Sequence, residues 1–94
     1  MDFEWDEEKA ASNLKKHGIS FPYATRAFED PMRCERFEVD IDHGEERCSI
    51  TGLVTQRAIV VIFTWRETRI RIISARKATD DERRDYWEDR IFHP

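Results

Sequence analysis

Ala58-Ile59-Val60-Val61-Ile62-Phe63-Thr64-Trp65-Arg66-Glu67-Thr68-Arg69-Ile70-Arg71-Ile72-Ile73-Ser74-Ala75-Arg76 contains two apolar runs separated by a short polar break. The run Ala58 to Trp65 is apolar on both alternating faces, the pattern of a central strand. Glu67-Thr68 makes a turn, and Ile70 to Arg76 is the next and last strand. Upstream, Cys48 to Val54 faces Ala58 to Trp65 across Thr55-Gln56-Arg57, a hairpin. Cys34 to Val39 is a weaker, partly polar strand, joined to the hairpin by the acidic turn Asp40-Ile41-Asp42-His43-Gly44-Glu45-Glu46.

Helices flank this block. Phe3-Glu4-Trp5 alternates like a short strand or lead-in. Asp6, Glu7 and Glu8 suit a helix N-terminus, Lys15, Lys16 and His17 suit its C-terminus, and Gly18 stops it. Ser20 caps a second helix that tolerates Pro22 in its first turn, and Asp30-Pro31 ends it. Thr79 with Glu82 forms a capping box for a final helix. The pattern predicts a single α+β domain over residues 1–94: two N-terminal helices, an antiparallel sheet of three to four main strands covered by helices on one face, and one C-terminal helix.

The net charge of −4 conceals segregation. Residues 29–46 carry eight acids against two arginines. Residues 47–77 carry six arginines and a lysine against Glu67 alone, and residues 9–28 add four cations with no acid. Brought together, the two basic segments give one positive face on an acidic protein, a phosphate-binding signature; solvated edges are the competing reading. No apolar run approaches the roughly 18 residues of a membrane span, and the acidic N-terminus does not resemble a secretory signal. Cys34 and Cys48 lack metal or disulfide spacing, so reduced thiols in a cytoplasmic protein are expected.

Three scattered glycines offer no nucleotide loop, and His17, His43 and His93 have no partners at zinc spacing. No metal or cofactor is therefore expected. The acidic turn lacks the periodicity of a calcium loop. By strict alternation Thr64 and Arg66 share a face. Arg69, Arg71, Ile73 and Ala75 share another, and Ser74 and Arg76 fall opposite them. Arg47, Ser49 and Thr51 share a face one strand away. If the faces bearing Arg47, Thr64, Arg66 and Arg71 align, guanidinium groups with small hydroxyls between them can grip a polyanion. Cross-strand ion pairs to Glu35, Glu38 and Glu67 are the alternative.

The chain resembles the BrnT toxins, ribonucleases of type II toxin–antitoxin modules with a RelE-like fold. The resemblance runs through Phe3-Glu4-Trp5-Asp6 with Lys9 and Asn13, Lys16-His17-Gly18-Ile19-Ser20-Phe21, Phe28-Glu29-Asp30-Pro31, Gly44-Glu45-Glu46-Arg47, the Thr64-x-Arg66 strand end, and Arg71-Ile72-Ile73-Ser74-Ala75-Arg76-Lys77-Ala78 with Glu82, Arg83 and Tyr86. It implies metal-independent mRNA cleavage and neutralisation by a BrnA-like antitoxin bearing a ribbon-helix-helix part. Operator DNA is then reached only through the antitoxin, and a toxin dimer or a heterotetramer with antitoxin is compatible with it.

Such cleavage uses the substrate 2′-hydroxyl as nucleophile, so the protein must handle two protons and a charged phosphorane. Arg66 and Arg76 are the candidates for holding the phosphate. Lys16 and His17 are candidates for proton transfer or phosphate contact. Arg47, Thr64, Arg71 and Tyr86 are candidate RNA contacts, Tyr86 through hydrogen bonding or base stacking. The rival assignments are His17 packed beneath its helix, Arg76 paired with Glu82, and Tyr86 in the core. A non-catalytic antitoxin-binding or nucleic-acid-binding module is the alternative function.

Overall fold

A computed structural model describes residues 1–40 and 45–92. Strand β1 (Asp2–Glu4) leads into α1 (Glu7–His17) and α2 (Phe21–Thr25), and α2 runs on as a 3-10 turn (Arg26–Glu29). Then come β2 (Cys34–Asp40), β3 (Glu45–Val54), β4 (Arg57–Arg66), β5 (Arg69–Lys77) and α3 (Asp80–Phe92). The sheet order is β1-β5-β4-β3-β2. Most of the acidic turn, including His43 and Gly44, and His93 lie outside the described residues.

This corrects the expected architecture of two helices followed by an antiparallel sheet of three to four strands. The chain begins with a strand, the sheet has five strands, and it is mixed. β1 pairs parallel with β5, Asp2 opposite Arg69, Phe3 opposite Ile70 and Glu4 opposite Arg71. The alternation of Phe3-Glu4-Trp5 marks a short strand or lead-in, but nothing local assigns it to the sheet, because its parallel partner lies far along the chain. The helices also take both faces, not one: α1 and α2 cover one side, while α3 lies across the other.

Local chemistry explains the elements. Asp6 accepts hydrogen bonds from the Glu8 and Lys9 amides at 2.8 and 3.2 Å, and Gly18, at φ +71°, closes α1 in the left-handed region. Ser20 accepts from the Tyr23 amide at 3.2 Å to start α2. Buried Asn13 acts like an added strand residue. Its side chain accepts from the Ala75 amide (3.1 Å) and donates to the Ala75 carbonyl (2.9 Å), satisfying part of β5 that β1 is too short to reach. Gly52 lets the 3-10 turn press onto β3, since a Cβ there would sit 2.7 Å from the Ala27 carbonyl oxygen.

The main core lies between the sheet and α1–α2. Ile50, Ile59, Val61, Phe63, Ile70, Ile72 and Ala75 point into it against Ile19, Phe21, Ala24 and Phe28. Phe28 joins Phe3 and Phe63 in edge-to-face contacts, with centroids 5.1 and 5.0 Å apart. A smaller cluster of Ala58, Val60 and Ala78, flanked by Leu53 and Ile62, lies on the opposite face.

Candidate functional site

The face away from the main core is polar, and one irregularity decides its composition. A bulge in β5 lets Phe63 pair with Ile72 while Ile62 pairs with Ser74, so Ile73 is the extra residue. Ile70, Ile72 and Ala75 therefore share the core face. Arg71 (opposite Thr64), Ser74 (opposite Ile62) and Arg76 (opposite Val60) share the other. Strict alternation puts Arg71 and Arg76 on opposite faces; the bulge brings them to one.

Arg66 ends β4 directly opposite Arg69, across the two-residue turn Glu67-Thr68. Like charges facing each other across strands destabilise a sheet. Both are exposed, and among the described residues neither makes an ion pair or side-chain hydrogen bond. Asp2 is next in the row on β1 and closes no ion pair with Arg69. In the adjacent row the Arg71 guanidinium donates to Glu4 at 2.9 Å, and Thr64 Oγ1 donates to the Glu46 carbonyl at 3.1 Å. Arg47 is half-buried on the same face. Arg69 was not among the site residues expected from sequence, although a two-residue hairpin places it opposite Arg66.

Arg76 lies elsewhere. Six residues of β4 separate its row from that of Arg66, about 20 Å at the usual strand rise. One phosphate does not bridge them. Arg76 donates to both Glu82 oxygens at 2.7 and 3.0 Å, while Glu82 Oε1 accepts from the Thr79 amide at 2.8 Å and the Glu82 amide donates to Thr79 Oγ1 at 3.1 Å. The hydrogen bond from Arg76, aided by Thr79 and partly opposed by burial, holds the Glu82 carboxyl down at about 2. A carboxylate this acidic is a weak base, so the pair fastens α3 to the sheet instead of moving protons.

The lowered value makes the pair pH-sensitive. Its stabilising contribution is complete above the ordinary carboxylate range and is lost as pH falls toward 2. Glu82→Gln should reduce stability by on the order of 2 kcal/mol near pH 6, with the gap to wild type closing between about pH 4.5 and 2. Denaturant titrations across that range check it; parallel curves would count against the pair.

The sequence profile described as "Ribonuclease toxin, BrnT, of type II toxin-antitoxin system" matches residues 5–82. The chain belongs to this family. No curated protein matches it by sequence.

The BrnT match spans every candidate site residue except Tyr86. Tyr86 is 1% exposed, and its hydroxyl donates to Asp30 Oδ2 at 2.6 Å, so its ring is closed to a base. Asp30 also accepts from the Leu53 amide at 2.8 Å and the Met32 amide at 2.9 Å. This tie between the segment before β2, β3 and α3 was not expected from sequence, because nothing local marks it.

In this BrnT chain Lys16 is exposed and His17 half-buried in the last turn of α1. Asn13 also donates to the Ile19 carbonyl at 3.0 Å, so the chain just past the C-terminal turn of α1 lies beside Ala75, at the Arg76 end of β5 and away from Arg66. Among the described residues Cys34 and Cys48 form no disulfide, and burial, with Glu35 and Glu46 nearby, raises the Cys48 thiol, as befits an unreactive strand residue. Among the described residues no group of three or more His, Cys, Asp or Glu side chains is placed to hold a metal ion, and no helix is long and apolar enough to cross a membrane. A type II toxin implies an antitoxin partner.

Proposed function

We propose that this BrnT-family toxin is a metal-independent endoribonuclease of single-stranded mRNA, with the scissile phosphate held at the β4–β5 hairpin tip by Arg66 and Arg69. The supporting observation is the cross-strand pair of exposed arginines without carboxylate partners among the described residues. A fold does not need it, and an anion relieves it. The substrate 2′-oxygen attacks the adjacent phosphorus, a 2′,3′-cyclic phosphate forms, and the bond to the 5′-oxygen breaks. Arg66 and Arg69 neutralise the phosphorane. Glu67, exposed in the turn between them, accepts the 2′-proton, and solvent protonates the leaving oxygen at this open tip.

Arg47, Thr64 and Arg71 border the same strand path. Lys16 and His17, on the helix that covers the other face of the sheet, take no part in proton transfer at the tip. Arg76 is a positioning residue through α3. Neutralisation is assigned to a BrnA-like ribbon-helix-helix antitoxin.

The test is incubation of the purified chain with unstructured RNA in EDTA, with product ends analysed. Cyclic phosphate termini support the proposal. Intact RNA, with folded protein that still binds its antitoxin, points to the non-catalytic module.

A further inference from the structure

The hairpin tip has two sides, and the second carries an apolar groove that the core leaves open. Alternation places Trp65 beside Arg66 but on the opposite side of the ribbon. Trp65 is 55% exposed, and Phe37, on the edge strand β2, is 62% exposed. Between them lies a cavity of about 400 Å³ floored by Phe28, Phe63 and Ile70. That size falls within the roughly 300–1,000 Å³ of small-ligand pockets. The Phe63 ring meets Trp65 edge-to-face at 6.5 Å.

We infer that this groove receives one unpaired nucleobase of the RNA strand whose backbone crosses the Arg66–Arg69 pair, and so helps select the linkage that is cut. The inference rests on the functional reading above. A single strand passing over a hairpin tip can set its phosphates on one side and turn a base to the other. Aromatic faces accept any base, and cations beside them hold the linking phosphate. Trp65 is next to Arg66 in sequence, so ring and guanidinium are placed by the same strand end. Of the charged residues that line it, Arg33 is paired with Glu35 at 3.2 Å and Arg36 with Asp85 at 3.0 Å. An apolar side chain of a partner protein is the other conceivable occupant; cations without carboxylate partners beside Trp65 favour a nucleotide.

The test uses 2′-O-methyl oligoribonucleotide hexamers, which cannot be cleaved, with one abasic position moved along the strand. Affinities are measured for wild type, Trp65→Ala, Trp65→Phe and Phe37→Ala, with thermal melts confirming folding. Wild type should lose roughly tenfold at one abasic position, the usual scale of a base–aromatic stack. Trp65→Ala should bind the intact hexamer equally weakly and show no further loss at that position, and Trp65→Phe should restore most of the difference. An unchanged abasic penalty in Trp65→Ala and Phe37→Ala overturns the inference while leaving RNA binding in place. Variants that keep RNA affinity but escape antitoxin neutralisation also overturn it, by identifying a protein-docking groove. Wild type that binds no hexamer at low salt removes the functional reading itself.

Discussion

Arg66→Ala should lower RNA cleavage by roughly 100-fold or more without lowering the melting temperature, because donors aimed at developing phosphate charge commonly contribute 10²–10³ to the rate. The neutral effect on folding follows from the register. Arg66 faces Arg69 across the sheet and has no carboxylate partner among the described residues, so truncation relieves repulsion. Loss of activity with stability unchanged or slightly raised separates this site from a structural arginine such as Arg76, whose removal would strand Glu82. The salt dependence of single-strand binding should also become shallower, by roughly 0.7 in the log–log slope for each phosphate that the variant no longer neutralises. Glu67→Gln should reduce kcat with little change in KM, since it removes a proton acceptor and leaves the cations in place. Full cleavage by Arg66→Ala would place the scissile linkage elsewhere, with the Arg76 end of β5 the next candidate.

The legible part of the chain was that governed by local pattern. The Asp6 and Ser20 caps, Gly18, the Thr79–Glu82 capping box and the double-faced apolar run of β4 all depend on neighbours a few residues apart, and each matches its element. What depended on distant pairing was not legible. β1 exists because β5 offers it a parallel edge, and the polar face gathers Arg71, Ser74 and Arg76 because one bulge shifts the alternation. The site suffered most from this. An arginine at a strand end reads the same whether it waits for a phosphate, as Arg66 is proposed to do, or grips a carboxylate, as Arg76 does. Only the tertiary partner separates the two. Tyr86 likewise suggested a stacking platform until Asp30, 56 positions earlier, claimed its hydroxyl.

Asp30→Ala should destabilise the protein by roughly 3 kcal/mol or more, a large share of the 5–15 kcal/mol that holds such a domain together. Its carboxylate accepts from at least three donors: Met32 N–H at one oxygen, Leu53 N–H and Tyr86 Oη at the other. Truncation leaves the buried Tyr86 hydroxyl without this acceptor and the Leu53 amide short of its partner. Bonds to a charged group contribute about 1.5–3 kcal/mol each, and they are not additive when they share an atom. Tyr86→Phe removes only one of the three, so it should lose about 1–2 kcal/mol. The double variant Asp30→Ala/Tyr86→Phe should be less unstable than the sum of the singles, because each single already removes the Tyr86–Asp30 bond and the double loses it only once. Urea titrations followed by circular dichroism measure all three. Among the described residues α3 is also fastened by Arg76–Glu82 and by Arg36–Asp85 at 3.0 Å, the second between half-exposed side chains. If these suffice alone, Asp30→Ala will match wild type within about 0.5 kcal/mol, and the carboxylate is then incidental to the fold. A loss several times larger means that α3 depends on its buried tie to Asp30, and that the Arg76 end of the polar face owes its geometry to a residue in the segment before β2.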